Sequence, residues 1–127
     1  FTIPSTAGRI IRVGAYDVPY ESYADFSGRG VLGEYPDVVA PGVDIRVPTA
    51  QRGTQMVSGT SFATPFATGS AALMMEWGIV RGADPFLYGE KLKAYLQSGA
   101  RPIRGEDRYP NPKVGFGALC LEDSIPF

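Results

Sequence analysis

Apolar positions along this chain fall into two patterns, short β-branched runs in the first half and longer helical stretches in the second. Ile10-Ile11-Arg12-Val13-Gly14-Ala15-Tyr16 predicts a strand. Ser22 to Gly33 is rich in Ser and Gly and predicts a loop. Asp37-Val38-Val39-Ala40 predicts a second strand, stopped by Pro41-Gly42, and the alternating Val43 to Val47 a third. Thr49 to Val57 is polar and reads as a loop or an edge hairpin strand. From Ala63 to about Gly78 the chain is apolar nearly all round, with Pro65 placed in the first turn, where a missing N–H removes no bond. Small residues (Ala67, Gly69, Ser70, Ala71, Ala72) fill the first half of that helix, so it is expected to be buried with neighbouring backbones close by. Leu73, Met74, Met75 and Trp77 read as core packing.

A second helix is expected from Asp84-Pro85, an N-cap followed by proline at N1. Phe86, Leu87, Leu92, Tyr95 and Leu96 share one of its faces, and Gly99 ends it as a C′ residue. Asn111 to Gly117 reads as a turn into a short glycine-bearing strand. The sum is an α/β unit without internal repeats or a low-complexity linker.

Composition narrows the function classes. A length of 127 residues suits one domain with a modest core, and 44% hydrophobic residues argue against disorder. A net charge of -1 gives no electrostatic footprint for nucleic acid. No apolar run approaches a membrane span, and no signal-peptide pattern is visible. The start at Phe1 is read as that of a piece of a longer or processed protein. Cys120, the one cysteine, is expected to be a small buried hydrophobe, and without histidine a zinc site has no soft ligands to draw on.

The candidate chemistry lies in Gly59-Thr60-Ser61-Phe62-Ala63-Thr64-Pro65-Phe66-Ala67-Thr68-Gly69. Gly59 permits a tight turn where a Cβ would clash. Ser61 then sits at the mouth of the helix, where free N–H groups and the helix dipole favour negative charge. An isolated Thr-Ser would read as a simple helix cap. An attacking hydroxyl also needs a base, and this chain has no histidine to supply one.

The whole undecapeptide resembles the nucleophile segment of subtilisin-like serine proteases, the subtilases. Further segments resemble the family in its own order: Ile11 to Asp17 its "V-x-V-G-A-x-D" strand, Ala24 to Gly30 its "F-S-x-x-G" loop, Asp37 to Ile45 its "D-V-x-A-P-G-x-x-I" segment, and Val114 to Leu119 its closing "G-x-G" stretch. The region from Ala83 to Pro110 and the tail from Cys120 to Phe127 resemble clostridial-type bacterial subtilases.

The resemblance implies that residues 1–127 are the C-terminal, Ser-bearing part of a catalytic domain built on a doubly wound parallel sheet, with a buried helix after the nucleophile. It implies Ser61 as nucleophile and, through its backbone N–H, oxyanion donor, with Ser58, Gly59 and Thr60 at the substrate. The family's Asp, His and oxyanion-hole Asn would lie upstream of Phe1; Asp17, Asp25, Asp37 and Asp44 fall in segments used for other purposes. Some family members bind calcium near the loop that matches Glu34 to Asp37, and two carboxylates in such a loop suit a hard cation. The reading adopted there is solvated carboxylates, with no cofactor or metal assigned. The implied activity is peptide hydrolysis through an acyl-enzyme, with this chain inactive alone. The alternatives are a pseudoprotease of the same fold and a non-catalytic interaction module. The implied partners are a peptide or protein substrate and the upstream half of the domain, and the isolated chain is expected to self-associate.

Overall fold

The computed structural model describes residues 7–28 and 35–126. Strand β1 (Val13–Asp17) lies at the centre of a small sheet. It pairs in parallel with β3 (Val38–Pro41), Val13 opposite Val38 and Tyr16 opposite Pro41. It pairs antiparallel with β2 (Ser22–Tyr23), a two-residue strand inside the segment expected to be loop. Its pairing follows from the return of the chain at 18–21, where the Glu21 N–H donates to Val18 O. A separate antiparallel hairpin joins β4 (Ile45–Pro48) to β5 (Thr54–Val57), so the polar Thr49–Val57 stretch resolves into a turn and a hairpin strand.

The expected terminal strand is reduced to isolated bridges. Ala118 bridges Val39 in parallel and Arg101 antiparallel, and Asn111 bridges Gly115. The Val39 N–H donates to Gly117 O and the Leu119 N–H to Val39 O, so this segment covers the outer edge of β3 without a regular ladder.

Helix α1 (Thr60–Met75) starts before the expected Ala63, and its apolar run continues as a π-helical turn (Glu76–Val80). Because the helix begins at Thr60, Pro65 is its sixth residue rather than a first-turn residue. Its missing N–H therefore does remove a bond, the one the Ser61 carbonyl would have accepted. The helix meets the sheet through an all-alanine seam: Ala15, Ala24 and Ala40 pack with Ala63, all buried. Such small side chains let backbones come close. At the far end the packing enlarges, with Met74 against Leu87, Leu92 and Leu96, and Trp77 at the margin.

Only one face of α1 is covered in this chain. Ala63, Ala67 and Met74 are buried, whereas Leu73 is 58% exposed and Phe66 43%. The all-round burial expected from the sequence is absent because nothing among the described residues reaches the outer face. Met75 is likewise exposed, unlike the core residue it was expected to be.

Helix α2 (Gly89–Ser98) begins five residues after Asp84, the expected cap. Asp84 instead closes a turn, with its Oδ1 accepting the Phe86 N–H at 3.3 Å and its carbonyl the Leu87 N–H. Leu87 still enters the core from that turn, but Phe86 is left in solvent. Leu92 and Leu96 form the buried face of α2 as the spacing predicted. Gly99 ends the helix with φ −88°, not in the left-handed C′ conformation. Glycine is needed there for space, since a Cβ would lie 2.4 Å from Ser124 Oγ. Ser124 ends a short helix, α3 (Leu121–Ser124), and Cys120 at its start is half-buried rather than enclosed.

Asp37 ties these layers together. It is buried; its Oδ2 accepts the Arg12 N–H at 2.7 Å and its Oδ1 the Gln97 Nε2 at 2.9 Å. Lys93 Nζ stands 3.3 Å from Oδ1 and also donates to the Ile10 carbonyl at 3.0 Å. One carboxylate thus joins the approach to β1, the start of β3 and helix α2. Its bonds are architectural, holding three segments together.

Candidate active site

The turn before α1 is set by packing as much as by backbone freedom. Gly59 is the N-cap residue at φ 151° and ψ 159°, a conformation that L side chains rarely adopt. Its N–H donates to Gly42 O at 2.8 Å, and the Gly42 N–H donates to Tyr16 O at 3.2 Å. Gly42 has no room for a side chain, since a Cβ would lie 2.5 Å from Ala15 Cβ and 3.0 Å from Gly59 O. The end of β1, the turn after β3 and the start of α1 therefore interlock around two glycines. The sequence singled out Gly59 but not Gly42, whose signal was the Pro41-Gly42 break after an apolar strand.

Ser61 is the second residue of α1 and is exposed. It is inside the helix, so it is not the cap. No side chain caps the helix start, and no acidic residue occupies its first turn. The first-turn N–H groups and the positive end of the dipole, roughly half an elementary charge, are left for an incoming anion. Among the described residues Ser61 Oγ has no hydrogen-bond partner. Thr64 and Thr68, by contrast, turn their hydroxyls back, donating to the carbonyls of Thr60 at 3.0 Å and Thr64 at 3.2 Å.

Thr60 is half-buried and Ser58 exposed, one on each side of Gly59. The Ser58 hydroxyl is engaged, because its Oγ accepts the Asp44 N–H at 2.9 Å. An apolar groove of about 260 Å³ opens beside this turn, lined by Ile45, Val47, Phe62, Pro65 and Phe66. Its walls come from β4 and the first two turns of α1.

The groups with shifted pKa lie outside the 58–65 segment. The Lys91 ammonium, hydrogen-bonded to Asp84, holds that carboxyl below the usual range, and Asp84 in turn raises Lys91. Arg101 does the same to Asp123 across the 2.7 Å pair they form. Burial, aided by the Glu21 charge, raises Tyr16. No three metal-ligating side chains cluster among the described residues, and Glu34 of the weighed calcium loop lies outside them. No helix of the described residues is long and apolar enough to cross a membrane. The arrangement sets an exposed serine hydroxyl at an uncapped helix N-terminus, in a chain that contains no histidine.

The sequence profile of the subtilase family matches residues 1–117. The serine protease AprX of Bacillus subtilis is 35% identical over 97% of this chain, which spans 31% of AprX. The solved structure of the Clostridium perfringens CspB protease superposes with a TM-score of 0.91 at 44% identity, covering 96% of this chain and 27% of that one. The prenylagaramide maturation protease PagA superposes with a TM-score of 0.77 at 35% identity, covering 97% of this chain and 44% of PagA. The chain thus spans less than half the length of each of these relatives.

Proposed function

The chain belongs to the subtilase family of serine peptidases, is related to a clostridial-type member, and on that premise we propose that it is the Ser-bearing part of an endopeptidase catalytic domain with Ser61 as nucleophile. One observation carries the reading. Ser61 presents an unpartnered, exposed hydroxyl on the uncapped N-terminus of a helix that the packing around Gly42 and Gly59 holds in place. In the complete domain a histidine takes the Ser61 proton as Oγ attacks the scissile carbonyl, and an aspartate orients that histidine. The Ser61 N–H donates to the tetrahedral oxyanion together with an asparagine side chain. Collapse of the intermediate protonates the leaving amine and leaves an acyl-enzyme, which water hydrolyses. The substrate is a peptide or protein, its chain passing Ser58, Gly59 and Thr60. The histidine comes from residues outside these 127, since the chain contains none; by the family's motif order the aspartate and the asparagine lie upstream as well.

The same premise extends the parallel pair β1–β3 into a doubly wound parallel sheet and buries α1 beneath it. The exposed outer face of α1, with Phe66, Gly69, Ala72 and Leu73, is the surface the rest of the domain would cover. By itself the chain should therefore self-associate at micromolar concentration. Light scattering on the purified chain checks this, and a monodisperse monomer would count against the missing cover.

Labelling with a fluorophosphonate tests the nucleophile. The whole protein should react stoichiometrically, with the adduct on the peptide that contains Ser61, while the 127-residue chain alone reacts slowly or not at all. An adduct elsewhere would remove Ser61 from its role. A whole protein that takes no label at all would favour a pseudoprotease of the same fold, one that kept Ser61 but lost the aspartate or the histidine outside these residues.

A further inference from the structure

We infer that Ser58 is a positioning residue for Ser61 rather than a substrate ligand through its hydroxyl, an inference that rests on the reading of Ser61 as nucleophile. The β4–β5 hairpin ends with Ile45 opposite Val57. Asp44 comes just before Ile45 and Ser58 just after Val57, so a continued ladder would pair these two backbones. Instead the Asp44 N–H donates to Ser58 Oγ at 2.9 Å. The side chain stands in for the strand backbone, and the main chain is free to leave the hairpin. One residue later Gly59 N–H crosses to Gly42 O, and α1 begins.

Asp44 itself has φ 52°, in the left-handed region, so its N–H is aimed by a tight turn rather than by a regular strand. Apart from the Thr64 hydroxyl's bond back to the Thr60 carbonyl within α1, this is the one side-chain hydrogen bond among the described residues that joins the 57–61 segment to the rest of the fold. Both partners are exposed, so losing the hydroxyl opens the Asp44 N–H to water and costs the fold little. What it loosens is the lead-in to Ser61, three residues on. Attack on a carbonyl needs reacting atoms within about 3–3.5 Å in the right alignment, and a misplacement of about 1 Å costs about a hundredfold.

The test uses the whole protein with Ser58→Ala and Ser58→Thr, a chromogenic peptide anilide as substrate, and hydrogen exchange of the peptide spanning residues 57–62. Ser58→Ala should lower kcat about tenfold, within the range set by small misalignments, while KM changes by less than about twofold. Exchange in the 57–62 peptide should speed up, and the melting temperature should move little. Ser58→Thr keeps the hydroxyl and should restore both kcat and exchange. A raised KM with kcat unchanged would make Ser58 a substrate contact and overturn the inference. Equal behaviour of the alanine and threonine variants would overturn it as well. Activity that survives Ser61→Ala would sink the nucleophile reading and this inference with it. A Ser61-dependent activity indifferent to Ser58 would sink this inference alone.

Discussion

Ser61→Ala in the whole protein should abolish peptide hydrolysis, with kcat falling by something on the order of 10⁶. The size follows from the geometry. Ser61 offers the hydroxyl at the helix mouth without a partner, so nothing adjacent can replace it as nucleophile. Among the hydroxyls beside it in sequence, that of Thr64 is bonded back to the Thr60 carbonyl, that of Ser58 accepts the Asp44 N–H, and Thr60 is half-buried. The helix N-terminus survives the change, so residual turnover would come from the oxyanion donors and bound water alone. Folding should be indifferent, because the lost group is exposed and makes no hydrogen bond among the described residues. Steady-state kinetics together with a thermal melt separates the two effects. Turnover within about a hundredfold of the parent would require another nucleophile, and a collapsed melt would mean the hydroxyl has a structural role that its surroundings do not show.

The second large effect lies far from the chemistry. Asp37→Ala should destabilise the protein by about 3–5 kcal/mol, the cost of breaking a buried ion pair by removing one partner. The carboxylate accepts from the Arg12 N–H and from Gln97 Nε2, and neutralises Lys93, whose side chain is only 15% exposed. Deleting it leaves an ammonium and two donors facing a space that water enters poorly. Lys93 keeps only its bond to the Ile10 carbonyl. A protein with about 5–15 kcal/mol of total stability would feel that loss as a steep drop in melting temperature. Urea denaturation at fixed pH gives the measurement. A loss below about 1 kcal/mol would place the pair with exposed salt bridges, which contribute little.

The two sites differ in how legible they were in the sequence. Ser61 could be found because its surroundings are local: glycine, small helix residues and proline lie within a few positions of it, and each leaves a mark in the chain. Helix α1 and strands β1, β3 and β4 were legible because their patterns are also local, β-branched or alternating apolar residues marking the strands and a long apolar, small-residue stretch the helix. The Asp37 network was invisible because its partners, Arg12, Lys93 and Gln97, are distant in sequence and look like ordinary polar residues. Gly42 was read as a strand stop, yet its function depends on Ala15 and Gly59, which only the fold brings to it. The start of α2 was misread because Asp84-Pro85 suits a turn as well as a helix, and the local bonds of Asp84 favour the turn. The closing strand failed because Gly115 and Gly117 break its ladder into single bridges. The outer face of α1 is exposed among the described residues, and a hydrophobic pattern alone does not show how many of a helix's neighbours this chain supplies.

The empty space beside Gly69 separates two properties that are usually inseparable. A Cβ built there meets nothing within 4 Å among the described residues, although Gly69 sits midway along the helix that begins at Ser61's turn. Leucine favours helix over glycine by somewhat under about 1 kcal/mol, so Gly69→Leu should strengthen the piece, and if the proposed cover of α1 exists it should hinder the closure of the whole. Under the proposed function position 69 is a keyhole: its vacancy has no use to the described residues around it and would acquire one when a second surface is laid over it.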